Sequence, residues 1–178
     1  MRHTLRLHPD SRCLAATQIE VEIARPRPRS LVLSYVVRGK ISDLRMPPVV
    51  AAARADELWR HTCFEAFVRP SAGLGYYEFN FSPSTQWAVY QFSGYRSGMR
   101  VANEISAPRI EVRSSAETYT LQAALEFDGL WSSLHLGLSA VLEETNGRKS
   151  YWALAHPPGK ADFHHSDGFA LGLPAASP

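Results

Sequence analysis

An all-β fold, an antiparallel β-sandwich of jelly-roll-like character, is predicted by three features of this sequence. Apolar and polar residues alternate with period two through most of the chain. The alternating runs are rich in leucine, β-branched and aromatic residues. Short clusters of glycine, proline, asparagine, aspartate and serine separate them. At 178 residues the chain fits a single domain, 1–178, long enough to bury one core.

The elements follow in order. Ile19, Val21 and Ile23 alternate with Gln18, Glu20 and Glu22, a strand pattern. Arg25-Pro-Arg-Pro-Arg29 reads as a solvated turn. Leu31, Leu33, Tyr35 and Val37 then share one strand face. Residues 48–58 depart from period two. Three consecutive alanines, Ala51 to Ala53, favour at most a short helix there, with an irregular excursion as the alternative. Thr62 to Arg69 and Tyr76 to Pro83 form a hairpin about the turn Pro70-Ser-Ala-Gly-Leu-Gly75. Ser93-Gly94 is a further turn. Tyr119, Leu121, Ala123, Leu125 and Phe127 share a face, ended by Asp128-Gly129. Leu134, Leu136, Leu138, Ala140 and Leu142 form the next face. Asn146-Gly147, before Trp152, is the strongest hairpin signal in the chain.

Composition narrows the function. The net charge of +2 and the absence of a basic stripe interleaved with aromatics exclude nucleic-acid binding by bulk electrostatics. Two cysteines, Cys13 and Cys63, make no disulfide framework and are expected reduced. Met1 to Ile23 holds no signal-peptide core, and no apolar run approaches the roughly 18 residues of a membrane helix. A cytoplasmic protein with no membrane partner is expected.

The Asp56–Trp87 hairpin carries the candidate chemistry. Burial should select the register that places Phe64, Ala66 and Val68 with Tyr77, Phe79 and Phe81 against the core. The other face then carries Cys63, Glu65, Phe67, Tyr76, Glu78 and Asn80, with the two glutamates across from each other or nearly so. Facing like charges cost up to about 1 kcal/mol, so a cation, a shared proton or a ligand is expected to relieve them. The plainer reading is an exposed lattice with Arg60, Arg69, Arg96 and Arg100. The functional reading is a polar floor beneath a ligand, walled by Trp59, Tyr76, Trp87, Tyr90 and Tyr95. Sugar rings stack on aromatic faces, and their hydroxyls bond carboxylate, amide and guanidinium groups.

Three blocks of sequence carry a resemblance: residues 56–70 (DELWRHTCFEAFVRP), residues 76–83 (YYEFNFSP) with Trp87, and residues 150–164 (SYWALAHPPGKADFH). Together they resemble the bacterial DOMON-like domain proteins, relatives of family 9 carbohydrate-binding modules. The resemblance covers about residues 55–173. It implies a β-sandwich and a ligand-binding rather than catalytic heritage, since members of the wider group bind sugars or haem. On the matching positions it implies Trp59, Glu65, Glu78, Asn80, Trp152 and His156 as family positions, with Ser82 and Pro83 at the turn. Two departures matter. The sugar-binding members are typically exported, whereas this chain shows no export signal. The haem-binding members use a Met/His pair, and here the only non-initiator methionines, Met46 and Met99, fall in loops.

Other chemistry has less behind it. His61, His156, His164 and His165, with Cys63, Glu65 and Asp162, offer metal ligands without a standard zinc spacing, and adjacent His164 and His165 would diverge on an extended chain. A calcium site of loop oxygens is a comparable alternative. Glu65 and Glu78 could serve a hydrolase as an acid/base pair. No G-x-S-x-G, G-x-G-x-x-G or phosphate-binding loop motif occurs. Pro157-Pro158-Gly159-Lys160 reads as a rigid loop or a binding lid. The expectation is therefore a non-catalytic domain that binds a sugar or similar small molecule without a cofactor. Trp59, Arg60, Glu65, Tyr76, Glu78, Asn80, Trp87, His156 and His164 are its candidate ligand-binding residues. A haem- or metal-binding domain and a carboxylate hydrolase are the alternatives.

Overall fold

The computed structural model describes residues 1–71, 75–127 and 133–174. The turns expected at 70–75 and 128–129 lie partly or wholly outside them. Strands β1 (Arg2–Leu7), β2 (Ala16–Ala24), β3 (Ser30–Gly39), β4 (Cys63–Pro70), β5 (Tyr76–Phe81) and β6 (Trp87–Phe92) come first. They are followed by β7 (Arg100–Val101), β8 (Arg109–Ser114), β9 (Thr118–Glu126), β10 (Leu134–Glu143), β11 (Lys149–Ala153) and β12 (Leu171–Leu173). Among the described residues no helix is long and apolar enough to cross a membrane.

The strands form one antiparallel path, β7-β6-β5-β4-β10-β11-β1-β2-β3-β9-β8, with β12 beside β10. The path doubles back at β1. Arg2 to Leu5 pair with β2, whereas Arg6 and Leu7 pair with β11. One strand thus serves both halves, and the halves face each other as a β-sandwich. Burial explains the closure. The alternating faces of β3, β9 and β10 read from sequence are all buried, and they meet Phe64, Ala66, Val68, Phe79 and Phe81 in one core. Tyr35 and Phe64 touch across the gap, with ring centroids 5.1 Å apart, and Phe64 stacks on Tyr119 at 6.2 Å. The Tyr35 hydroxyl donates to the Glu65 carbonyl at 2.7 Å, which ties β3 to the back of β4.

The hairpin register is the one burial demands: Phe64 pairs with Phe81, Ala66 with Phe79 and Val68 with Tyr77. Asn146-Gly147 turns β10 into β11. Gly147 adopts φ +85°, and its N–H donates to the Glu144 carbonyl at 2.8 Å.

Residues 48–57 take the irregular course rather than the helical one. The segment lies extended along β6. The Val50 N–H donates to Ser84, and Ala53 and Ala55 exchange bonds with Trp87. Pro47 and Pro48 disfavour helix before the alanines, and the weak alanine preference yields to these ladder bonds. Only Leu58–Arg60 makes a single 3-10 turn.

Candidate functional site

The outer face of the β10-β4-β5-β6 sheet is not a solvated surface. Register lays it out in two rows: Ser139, Glu65, Asn80 and Ala88 across one, Gly137, Phe67, Glu78 and Tyr90 across the next. A second apolar cluster of Phe67, Tyr76, Ala88, Tyr90, Phe92 and Phe169 covers it, with Leu58 and Phe163 packed against it. Two loops supply the cover. Residues 55–61 are anchored where the Tyr90 hydroxyl donates to Asp56 at 2.7 Å. Residues 154–170 fold back over β4. Between the loops lies an open cavity of about 500 Å³. Its floor is Glu65 and Glu78. Its walls include Trp59, Phe67, Tyr90, Phe92, Tyr151 and Phe163, and Arg60, Arg96, Met99, Lys149 and His164 also line it.

Both glutamates are buried, Glu65 to 3% exposure and Glu78 to 6%, so the exposed arginine lattice does not form. Arg60 pairs with Glu57 at 2.7 Å and Arg100 with Glu104 at 2.8 Å. Arg69 lies over the Phe169 ring at 4.6 Å. Glu65 accepts from the Ser139 hydroxyl at 3.3 Å, and Glu78 from the Asn80 amide at 2.8 Å. Burial pushes the Glu65 carboxyl well above the usual carboxylate range, and the nearby Glu78 adds to the rise. Burial raises Glu78 too, but its bond from Asn80 and the field of Arg96 pull it back. The stronger upward push therefore falls on Glu65. Burial and the two carboxyls also hold Cys63 as a thiol, 3.5 Å from the Asn80 carbonyl oxygen.

A hydrogen-bonded relay reaches Glu78 from the rim. The Arg96 amide donates to Tyr76 Oη at 3.3 Å, and Tyr76 Oη lies 2.7 Å from His164 Nδ1. The other ring nitrogen, Nε2, faces Glu78 Oε2 at 3.6 Å. Burial lowers the His164 pKa to about 4, with Arg96 helping and Asp162 opposing. His164 is thus a neutral ring beside the carboxylate, not an ion-pair partner. Asp162 straps its loop to the β6–β7 turn. It accepts from the Arg96 guanidinium at 2.8 Å, from the His164 amide at 3.1 Å and from the Tyr95 hydroxyl. Glu57 and Arg96, beside the cavity, are non-glycine residues with positive φ, 59° and 50°. Such backbone strain concentrates where a site is built.

Of the candidate residues, Trp59, Arg60, Glu65, Glu78 and His164 line the cavity. Tyr76 and Asn80 stand directly behind it through the bonds above. Trp87 does not join them. It pairs with Phe81 on the inner face and packs in the intersheet core under the Arg54 guanidinium, 4.4 Å from its ring. His156 is also elsewhere: its Nε2 lies 2.8 Å from the Arg6 carbonyl, and its ring meets His8 at 4.8 Å. His164 and His165 do diverge, His165 capping the 3-10 turn Ser166–Gly168. His61 binds Glu143 at 2.7 Å. Among the described residues no three or more His, Cys, Asp or Glu side chains are grouped to hold a metal ion.

Comparison with known proteins bears on the fold. No family model matches the chain, and no curated protein does. A Bacteroides uniformis protein provisionally described as carbohydrate-binding superposes with a TM-score of 0.66 at 13% identity, over 94% of this chain and 83% of that one. A family 9 carbohydrate-binding module from Caldicellulosiruptor kristjanssonii, solved with cellotriose, superposes with a TM-score of 0.53 at 9% identity, over 89% and 74%. The fold is shared with family 9 carbohydrate-binding modules. At these identities the likeness is one of backbone architecture, and the site has to be argued from its own residues.

Sequence reasoning missed Val141, Lys149, Tyr151 and Phe163 as lining residues. Val141 pairs with both Cys63 and Tyr151, so the β10–β11 hairpin extends the floor. One signal was available: aromatics on both faces of β4, β5 and β6 (Phe64 and Phe67, Tyr76 and Tyr77, Trp87 and Tyr90) mark a sheet covered on both sides.

Proposed function

We propose that this chain is a non-catalytic carbohydrate-binding domain of DOMON-like type, which takes a sugar into the cavity above Glu65 and Glu78. One observation carries the reading: two buried carboxyls form the floor of a cavity walled by Trp59, Tyr90, Phe67, Phe92, Tyr151 and Phe163. Sugar rings need apolar faces for their C–H groups and strong acceptors for their hydroxyls. Glu78 accepts from Asn80, with His164 Nε2 3.6 Å away, which leaves acceptor capacity for a ligand hydroxyl. Arg60 and Lys149 at the rim would donate to ring and hydroxyl oxygens. The cellotriose held by the Caldicellulosiruptor kristjanssonii module agrees with this reading.

Titration of the intact chain with a panel of mono- and oligosaccharides tests it. Trp59 stands 36% exposed at the cavity mouth, so an occupied cavity is expected to change tryptophan emission. Unchanged emission, together with no calorimetric heat from any sugar at millimolar concentration, refutes the reading.

A further inference from the structure

Among the described residues, the carboxyls of the cavity floor form no ion pair with a lysine or arginine. Glu65 and Glu78 are both more than nine-tenths buried. The lining cations form no ion pair with the floor: Arg60 pairs with Glu57, Arg96 pairs with Asp162 and reaches Glu78 only through its field, and Lys149 sits at the rim on the exposed end of β11. Their neighbour His164 is neutral. Buried carboxylates ordinarily have a cationic partner, because an unpaired buried charge is costly. Glu65 accepts one bond, from Ser139 to Oε2, and the carboxyl borders the open cavity. The walls add an independent indication. They include the rings of Trp59, Tyr90, Phe67, Phe92, Tyr151 and Phe163, and an aromatic face attracts a compact cation more strongly than it does a neutral hydroxyl.

We propose that the sugar selected by this site carries a primary amine, its ammonium seated at Glu65 and Glu78 and its ring among the aromatic walls. This rests on the carbohydrate reading above and adds the charge of the ligand. The proton balance follows. Before binding, burial and the nearby Glu78 favour the protonated form of Glu65. The ammonium supplies the missing positive charge, Glu65 ionises, and its proton leaves to the buffer. The other titratable or charged groups around the floor are Cys63, His164, Arg60, Arg96 with Asp162, Lys149, and Asp56 beneath Tyr90.

Calorimetry on the intact chain at about pH 6.5, where a sugar amine is protonated, compares four probes. These are the β-1,4-linked glucosamine disaccharide, its N-acetylated form, cellobiose and spermidine. The glucosamine disaccharide should bind about ten-fold or more tighter than the two neutral disaccharides. Its heat should differ between buffers of unlike ionisation enthalpy by an amount that reports proton release. Glu65→Gln should abolish the preference for the glucosamine disaccharide and the proton release. Equal affinity for all three disaccharides overturns the amine proposal and leaves the carbohydrate reading standing. Spermidine binding as tightly as the glucosamine disaccharide overturns the sugar part of the proposal. Failure of every disaccharide overturns both readings. The comparison among ligands on the unaltered chain stands whether or not the variant folds.

Discussion

Glu65 and Glu78 sit on a diagonal of the β4–β5 pair: Glu65 faces Asn80 across the ladder, and Glu78 faces Phe67. The stagger keeps two buried carboxyls from direct opposition, yet close enough for Glu65 to feel the charge of Glu78. Ser139 serves one and Asn80 the other, so the pair is held by neutral donors.

The upward push on Glu65 makes stability fall with rising pH. Glu65 sits well above its ordinary 4.5 in the folded chain, so the folded state keeps a proton that the unfolded state releases. From about pH 4.5 upward, unfolding is increasingly favoured until the folded carboxyl itself ionises. Glu65→Gln mimics the protonated acid and removes this loss. Its melting temperature should decline less than the parent's between about pH 5 and pH 8, and should equal or exceed the parent's at the upper end. Thermal melts across pH measure this; parallel profiles would show Glu65 ionised at neutral pH.

His164 acts in the opposite sense. Its folded value of about 4 lies below the ordinary 6.5, so the unfolded chain takes up a proton first on acidification. Stability is therefore lost as pH drops from about 6.5 towards about 4, and levels off below. His164→Gln should flatten that acid limb and leave the alkaline decline. Tyr76→Phe removes the hydroxyl that bridges the Arg96 amide and His164 Nδ1, and should cost about 1–3 kcal/mol in denaturant unfolding. A neutral result for Tyr76→Phe would break the relay.

The site became legible from sequence only in part, and particular residues show why. Phe64, Ala66 and Val68 can be phased against Tyr77, Phe79 and Phe81 because one phase buries them and the other does not. The same parity, carried to β6, puts Trp87 inward beside Phe81; a tryptophan near a suspected site is not thereby on its face. What alternation cannot reveal is a cover that comes from elsewhere in the chain. Phe163 and Phe169 belong to a loop without periodicity, and only tertiary packing lays them over Phe67 and Tyr76. That cover turns an apparently solvated pair of glutamates into a buried one. His156 shows the converse: it lies in the same loop, but its ring turns to the Arg6 carbonyl at the sandwich edge.

The covering loop depends on a glycine. Gly137 faces Phe67 on the outer side of β10, and a Cβ there would lie 2.9 Å from the Gly168 carbonyl oxygen and 3.4 Å from Phe67 Cβ. The loop backbone can approach the sheet only because that atom is missing. Gly137→Ala should displace residues 163–169 and cost about 1–3 kcal/mol. Hydrogen exchange should rise in the same segment more than in β3 or β9. A uniform rise across the sandwich would mean that the loop is not a separate cover.

The two tryptophans of the hairpin should separate binding from stability. Trp59 is 36% exposed and touches Tyr90 edge-on at 5.9 Å, whereas Trp87 is 8% exposed within the intersheet core. Trp87→Ala opens a cavity in that core and also strips the ring from beneath Arg54, so it should cost about 3–5 kcal/mol. Trp59→Ala removes little buried area and should leave unfolding within about 1 kcal/mol of the parent. If Trp59 is a stacking wall, the same change should weaken sugar affinity about ten-fold by calorimetry, the loss of one ring–sugar contact. Undiminished affinity in Trp59→Ala would move the ligand away from the cavity mouth and down to the wall formed by Phe67, Phe92 and Phe163.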